Sequence, residues 1–195
     1  MTISSSTPLV TQYGSFTVTL HKFEPNYECV TFHMGDITEG TPLVRIHSSC
    51  LFSEAFHSLD CDCKLQLSGC LERIGQLGKG IVVYLYQEGR GHGLDNKIKA
   101  MRLEQEYEID TVQAFQRLNF ELDPREYSFA IRALGDLNLS KTIKVASNNF
   151  RKITVLKSGG YKVIEQVELT YPVNEHVRKY LEVKREKLGH SISFI

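Results

Sequence analysis

This chain of 195 residues has no net charge: Lys+Arg and Asp+Glu both number 23. Bulk attraction to nucleic acid or to an anionic membrane surface is therefore not expected, and any anion must be bound by local arrangement. No apolar run is long enough to suggest a membrane span, and no basic-then-apolar segment opens the chain. There is no internal repeat and no low-complexity linker. Cysteine is scarce and odd in number, at five, which excludes a fully paired disulfide framework and fits a reducing cytoplasm. The hydrophobic content of 42% supports a real core, and the length suits one domain over residues 1–195. The Ser/Thr-rich start, Met1 to Thr7, reads as frayed, with residues 1–8 expected to be disordered.

The patterning predicts an α/β fold, a mixed sheet with packed helices. Strands are expected at Ser15 to Lys22, Glu28 to His33 and Pro42 to His47, ahead of a cysteine-bearing loop. Leu67, Leu71, Ile74 and Leu77 recur at helical spacing, giving a helix from Leu65 to Leu77 stopped by Gly78. Gly80 to Gln87 reads as a buried strand, and Asp95 to Glu106 as a helix. Asp123-Pro124-Arg125-Glu126 has the form of a helix start, with Asp as N-cap and Pro first, running to about Leu137. Strand Thr142 to Ala146, helix Phe150 to Ser158, strand Tyr161 to Leu169 and a last amphipathic helix, Glu175 to Leu188, follow.

Three of the five cysteines, Cys50, Cys61 and Cys63, stand close together. Three thiolates can hold one zinc and leave its fourth position open for a water, which points toward hydrolysis. Two other readings compete. The thiols could be small buried hydrophobes, although Cys61 and Cys63 alternate with Asp60 and Asp62. Alternatively His47 or His57 could supply a fourth ligand and make the zinc structural. Cys29 and Cys70 sit among apolar neighbours and read as core thiols.

A second constellation, Gln87-Glu88-Gly89-Arg90-Gly91-His92-Gly93, leaves a strand and enters a helix. Its glycines let the backbone approach a ligand closely, and Arg90 adds a planar fork suited to phosphate or carboxylate. Neither a Walker loop nor G-x-G-x-x-G is present, and a plain turn is the competing reading.

Taken together, these pieces resemble the GTP cyclohydrolase II family. The carrying residues are Arg45-Ile-His-Ser-Ser-Cys50, Cys61-Asp-Cys63, Gln87 to Leu94, Asn96-Lys-Ile98, Asp123-Pro-Arg125, Asn148-Asn149 with Lys152, and the tail Lys187-Leu-Gly-His190. The resemblance implies a zinc enzyme, a cytoplasmic homodimer acting in riboflavin biosynthesis, that opens the imidazole ring of GTP at C8 and releases pyrophosphate. It implies one zinc per chain on Cys50, Cys61 and Cys63, and magnesium with the triphosphate. It implies nucleotide contacts from Arg45, Ile46, His47, Ser48, Ser49, Gln66, Glu88, Gly89, Arg90, Thr111, Ser147 and Lys152. Asp123 matches a proton acceptor and Arg125 a nucleophile toward the α-phosphate. Guanidinium stays protonated, with a pKa above about 12, so chemistry favours a phosphate clamp at Arg125. Capping alone would explain Asp123.

The departures from the family's pattern are Ser49 for Glu, Lys64 for Gly, His92 where an Ile or similar residue is common, Ser147 for Thr, and Met101 for an active-site Tyr. A phenol can shuttle a proton and a thioether cannot. Met101 therefore predicts a formamidopyrimidine product that keeps its formyl group, with His92 the one unusual neighbour able to substitute. Met101 as a helix-face filler is the plainer alternative. A nucleotide-binding protein without catalysis and a hydrolase of another purine nucleotide are the other functions open at this level.

Overall fold

The computed structural model describes residues 3–169. The predicted last helix and the Lys187 to His190 tail lie outside the described residues. The elements run β1 (Ile3–Thr11), β2 (Gly14–Phe23), β3 (Tyr27–Met34), β4 (Leu43–Ser48), α1 (Leu51–Glu54), α2 (Cys63–Leu77), β5 (Gly80–Leu85), α3 (Gly93–Tyr107), α4 (Thr111–Arg117), α5 (Ser128–Asp136), β6 (Thr142–Val145), α6 (Phe150–Ser158) and β7 (Lys162–Gln166). The α/β expectation is met by one seven-stranded mixed sheet in the order β1-β2-β3-β5-β4-β6-β7. β1, β2, β3 and β5 pair antiparallel, whereas β5, β4, β6 and β7 are parallel.

The central parallel strands β4 and β5 are buried on both faces, which is why β5 reads as a continuous apolar run. Alternation along the strands sorts the side chains between two cores. Val44, Ile46, Ile81, Val83 and Leu85 pack with Ala130, Leu134 and Leu156 from α5 and α6. Leu43 and Val82 face the opposite way, onto Cys70 and Ile74 of α2. Cys29 and Cys70 are fully buried core thiols, as expected. Burial pushes them up to about 12 and about 11.

After β4 the chain passes to β5 on one side. After β5 it crosses to β6 on the other. Loops leaving the carboxyl ends of β4, β5 and β6 therefore converge beside β4, the position at which open α/β sheets bind ligands.

Three expectations need correction. Ile3–Thr11 is a strand paired with β2 rather than a frayed end, because its backbone completes the antiparallel ladder. The helix after Asp123 begins only at Ser128, with Tyr127 as its N-cap residue. The Asp123 carboxylate is instead committed to the Arg125 side chain and amide. The strand predicted to Gln87 ends at Leu85. Gly78, at φ 66°, closes α2 as anticipated.

Candidate active site

A cavity of about 910 Å³ opens where these loops meet, within the range of small-molecule sites. Every residue singled out for metal, nucleotide or catalysis lines it except Ile46. Ile46 points into the α5/α6 core. Only its carbonyl serves the site, accepting the Lys152 ammonium at 2.9 Å.

The cysteine cluster comes from two segments. Cys50 follows β4 and precedes α1, and Cys63 opens α2. The sulfurs of Cys50, Cys61 and Cys63 lie within 4.8 Å of one another, with Cys50 and Cys61 3.6 Å apart. Among the described residues no histidine or carboxylate completes this group. Both ring nitrogens of His47 are engaged, by Arg45 Nε at 3.2 Å and Glu54 Oε1 at 2.9 Å, and His57 is exposed. Three soft donors without a fourth protein ligand fit a metal ion with an open position. Hydrogen bonding from Cys61 and Cys63, with the nearby Lys97 charge, holds the Cys50 thiol far below its ordinary value despite burial.

A buried polar network stands behind Cys50. Arg45 donates to Ala146 O at 2.9 Å and to Gln66 Oε1. Glu54 accepts from the Cys50 amide at 3.0 Å and from Tyr84 OH at 2.6 Å. Burial first, then the charges of Arg45 and Lys152, push His47 well below its usual pKa, so it is a neutral ring. Arg45 and His47 therefore brace the floor of the cavity.

The glycine-bearing segment Glu88–Gly91 is a tight turn, with Gly89 and Arg90 both in the left-handed region at φ 59° and 58°. Gly91, at φ 94°, packs on the Arg125 segment; a Cβ there would come within 3.4 Å of Arg125 Cγ. Asp123 and Arg125 form a bidentate pair, both contacts at 2.7 Å. Arg151 donates to the carbonyls of Asp123 and Arg125 at 2.5 and 3.1 Å and lies 3.2 Å from the Asp123 carboxylate. Burial alone would raise Asp123, but hydrogen bonds from Arg125 and the charges of Arg125 and Arg151 outweigh it and hold the carboxyl low. Asp123 is thus a weak base and a strong holder of Arg125. The Tyr127 ring lies 6.0, 6.0 and 5.5 Å from the charged groups of Arg125, Arg151 and Lys152.

Ser147 accepts the Asn149 amide at 3.1 Å, and Thr111 opens α4 behind an Asp110–Gln113 capping box. Met101, half-buried on α3, faces the cavity. His92 does not line the cavity. Its Nε2 lies 2.7 Å from Glu121 O and its ring stacks on Phe120, so it cannot stand in for a phenol.

Sequence reasoning missed Arg151, Glu54, Tyr84 and Glu104. Glu104 is a cavity carboxyl pushed up by burial against the opposing effects of Thr111 and Arg90. Arg151 and Tyr84 carry no spacing signal, since their partners Asp123 and Glu54 are 28 and 30 residues away. Lys97 was visible only as part of Asn96-Lys-Ile98.

Comparison with known proteins gives a consistent result. A family profile described as GTP cyclohydrolase II matches residues 2–168. A GTP cyclohydrolase-2 of Pseudomonas aeruginosa is 42% identical over 96% of this chain and 92% of its own length. A riboflavin biosynthesis protein RibBA of Bacillus subtilis is 43% identical over 95% of this chain and 47% of its own. The crystal structure of RibBX, a two-domain 3,4-dihydroxy-2-butanone 4-phosphate synthase from A. baumannii, aligns with TM-score 0.51 at 17% identity. It covers 88% of this chain and 41% of that one, a likeness of fold alone.

Proposed function

Because the chain belongs to the GTP cyclohydrolase II family, we propose that it hydrolyses GTP, opening the guanine imidazole ring at C8 and releasing pyrophosphate. The observation that carries this reading is the three-thiol cluster without a fourth protein ligand, sharing one cavity with the Asp123–Arg125–Arg151 group. A zinc ion on Cys50, Cys61 and Cys63 would supply Lewis acidity and an activated water at neutral pH.

The chain's own residues do the rest. Arg90, Arg125 and Lys152 offer positive charge to the phosphates, with magnesium accompanying the triphosphate. Asp123 holds the guanidinium of Arg125 in one plane, which suits a clamp on the α-phosphate better than a nucleophile. Ser147 and Lys152 present a hydroxyl and an ammonium from the loop after β6 and the first turn of α6. Arg45 and His47 support the metal loop from below.

The main product on this reading is a formamidopyrimidine ribonucleoside monophosphate. Loss of formate needs a proton for a departing amine. Met101 offers none where a phenol would, and no tyrosine lines the cavity among the described residues. A place in riboflavin biosynthesis and a homodimeric state are supported by the family relationship, and sedimentation would measure the latter.

Zinc-loaded protein incubated with GTP and magnesium, with products resolved by mass spectrometry, tests the proposal. Pyrophosphate and a ring-opened, formyl-bearing monophosphate are expected. No turnover would make the chain a binding protein, and turnover of ATP but not GTP would move its substrate.

A further inference from the structure

We propose that Lys97, braced by Glu88, is a positioning residue of the cysteine cluster, anchoring Cys50 and offsetting the surplus negative charge of three thiolates. The inference rests on the metal reading given above. The Lys97 ammonium lies 3.2 Å from Cys50 Sγ and 2.7 Å from Glu88 Oε1. Both side chains are only 18% exposed. The ammonium also sits 4.7 Å from the centroid of the Phe52 ring, which closes one side of it.

Glu88 reaches Cys50 by a second route. Its Oε2 accepts the Leu51 amide at 2.7 Å, while Oε1 also accepts the Gly89 amide at 3.1 Å. One carboxylate therefore ties the glycine-bearing turn, the residue after Cys50, and the lysine that touches the sulfur. Gly89 makes the approach possible: a Cβ there would stand 3.1 Å from Lys97 Cβ. With both oxygens used in this way, the Glu88 side chain belongs to the support of the metal loop.

The charge argument is independent of these contacts. Three thiolates around a dication leave one net negative charge in a partly buried site. An uncompensated charge there is costly, and an ammonium in contact with one sulfur removes the imbalance. Loss of a group that holds a metal ligand in place typically costs about 10- to 100-fold in metal affinity. The competing role is a direct phosphate contact, since Lys97 also borders the cavity.

The test measures zinc affinity without nucleotide, by competition with a chromophoric chelator, in the wild type and in Lys97→Met, Lys97→Arg and Glu88→Gln. Lys97→Met should bind zinc roughly 10- to 100-fold more weakly. Lys97→Arg should recover most of that loss, and Glu88→Gln should fall between. In cobalt-loaded protein the thiolate-to-metal charge-transfer band should move to lower energy in Lys97→Met and return in Lys97→Arg. Equal zinc affinity in Lys97→Met and wild type would overturn the inference and leave the metal reading standing. A raised KM for GTP with zinc affinity unchanged would also overturn it, making Lys97 a phosphate ligand. A wild-type chain that takes up no zinc would overturn both. Should circular dichroism show that Lys97→Met does not fold, Glu88→Gln set against Lys97→Arg makes the same comparison.

Discussion

At the scale of single residues, the site separates groups that meet a ligand from groups that hold other groups. Arg45 and His47, which the family resemblance makes nucleotide contacts, line the cavity and are also buried in a hydrogen-bond network of their own. Arg125 is different, because its guanidinium is held in a bidentate pair by Asp123 while it borders the cavity. Replacing Arg125 by Ala should lower kcat for pyrophosphate release by roughly 100- to 1,000-fold, with a much smaller change in GTP affinity; steady-state kinetics beside equilibrium binding measures the split. Met101 makes a chemical prediction. The wild type should release far less formate than pyrophosphate, and Met101→Tyr should raise the formate yield per pyrophosphate. Formate equal to pyrophosphate in the wild type would remove any role for position 101 in product choice.

At the scale of elements, much of the fold was legible because period and punctuation agreed. Leu67, Leu71, Ile74 and Leu77 followed by Gly78 gave α2, and the apolar run at residue 80 gave β5. The closeness of Cys50, Cys61 and Cys63 in sequence pointed to the three-thiol cluster, which the fold brings together. Two kinds of element escaped. α1 has four residues and α4 seven, too short for a period to emerge. The Asp-Pro pair at 123–124 satisfied the local rules for a helix start, but the Asp123 carboxylate is taken by Arg125 and Arg151, the latter from another element. A local capping rule cannot see a competitor that arrives through tertiary structure. α4 shows the rule working: Asp110 accepts the amides of Val112 and Gln113 at 2.9 and 3.1 Å, and Gln113 returns a bond to the Asp110 amide at 3.0 Å. Asp110→Ala should cost about 1 kcal/mol of stability, seen as a lowered urea midpoint with unchanged slope.

At the scale of the whole molecule, the sheet carries a buried histidine, His21, and a half-buried one, His33, whose neutral forms its stability favours. Burial lowers His21, against the opposing pull of Asp136, and burial alone lowers His33. The unfolded chain therefore binds more protons than the folded one below the ordinary value of 6.5. Stability supplied by these neutral rings is full above that value and is lost as pH falls below it toward the folded values. Thermal unfolding followed from pH 8 to pH 5 should show a falling midpoint, and His33→Gln should flatten the fall. An unchanged midpoint across that range would contradict it.

The helix α3 has a consequence for how this chain could diverge. Lys97 and Met101 stand one turn apart, at a spacing that places both on one side of the helix, and both border the cavity. On the proposed reading, the foot of the cysteine loop and the position that selects the product are thus successive rungs of one rod. Exchanging the upper rung changes the chemistry offered to the ring-opened intermediate and leaves the lower rung gripping Cys50. If Met101 selects the product as proposed, a lineage can switch what it makes by one codon without rebuilding the machinery that makes it.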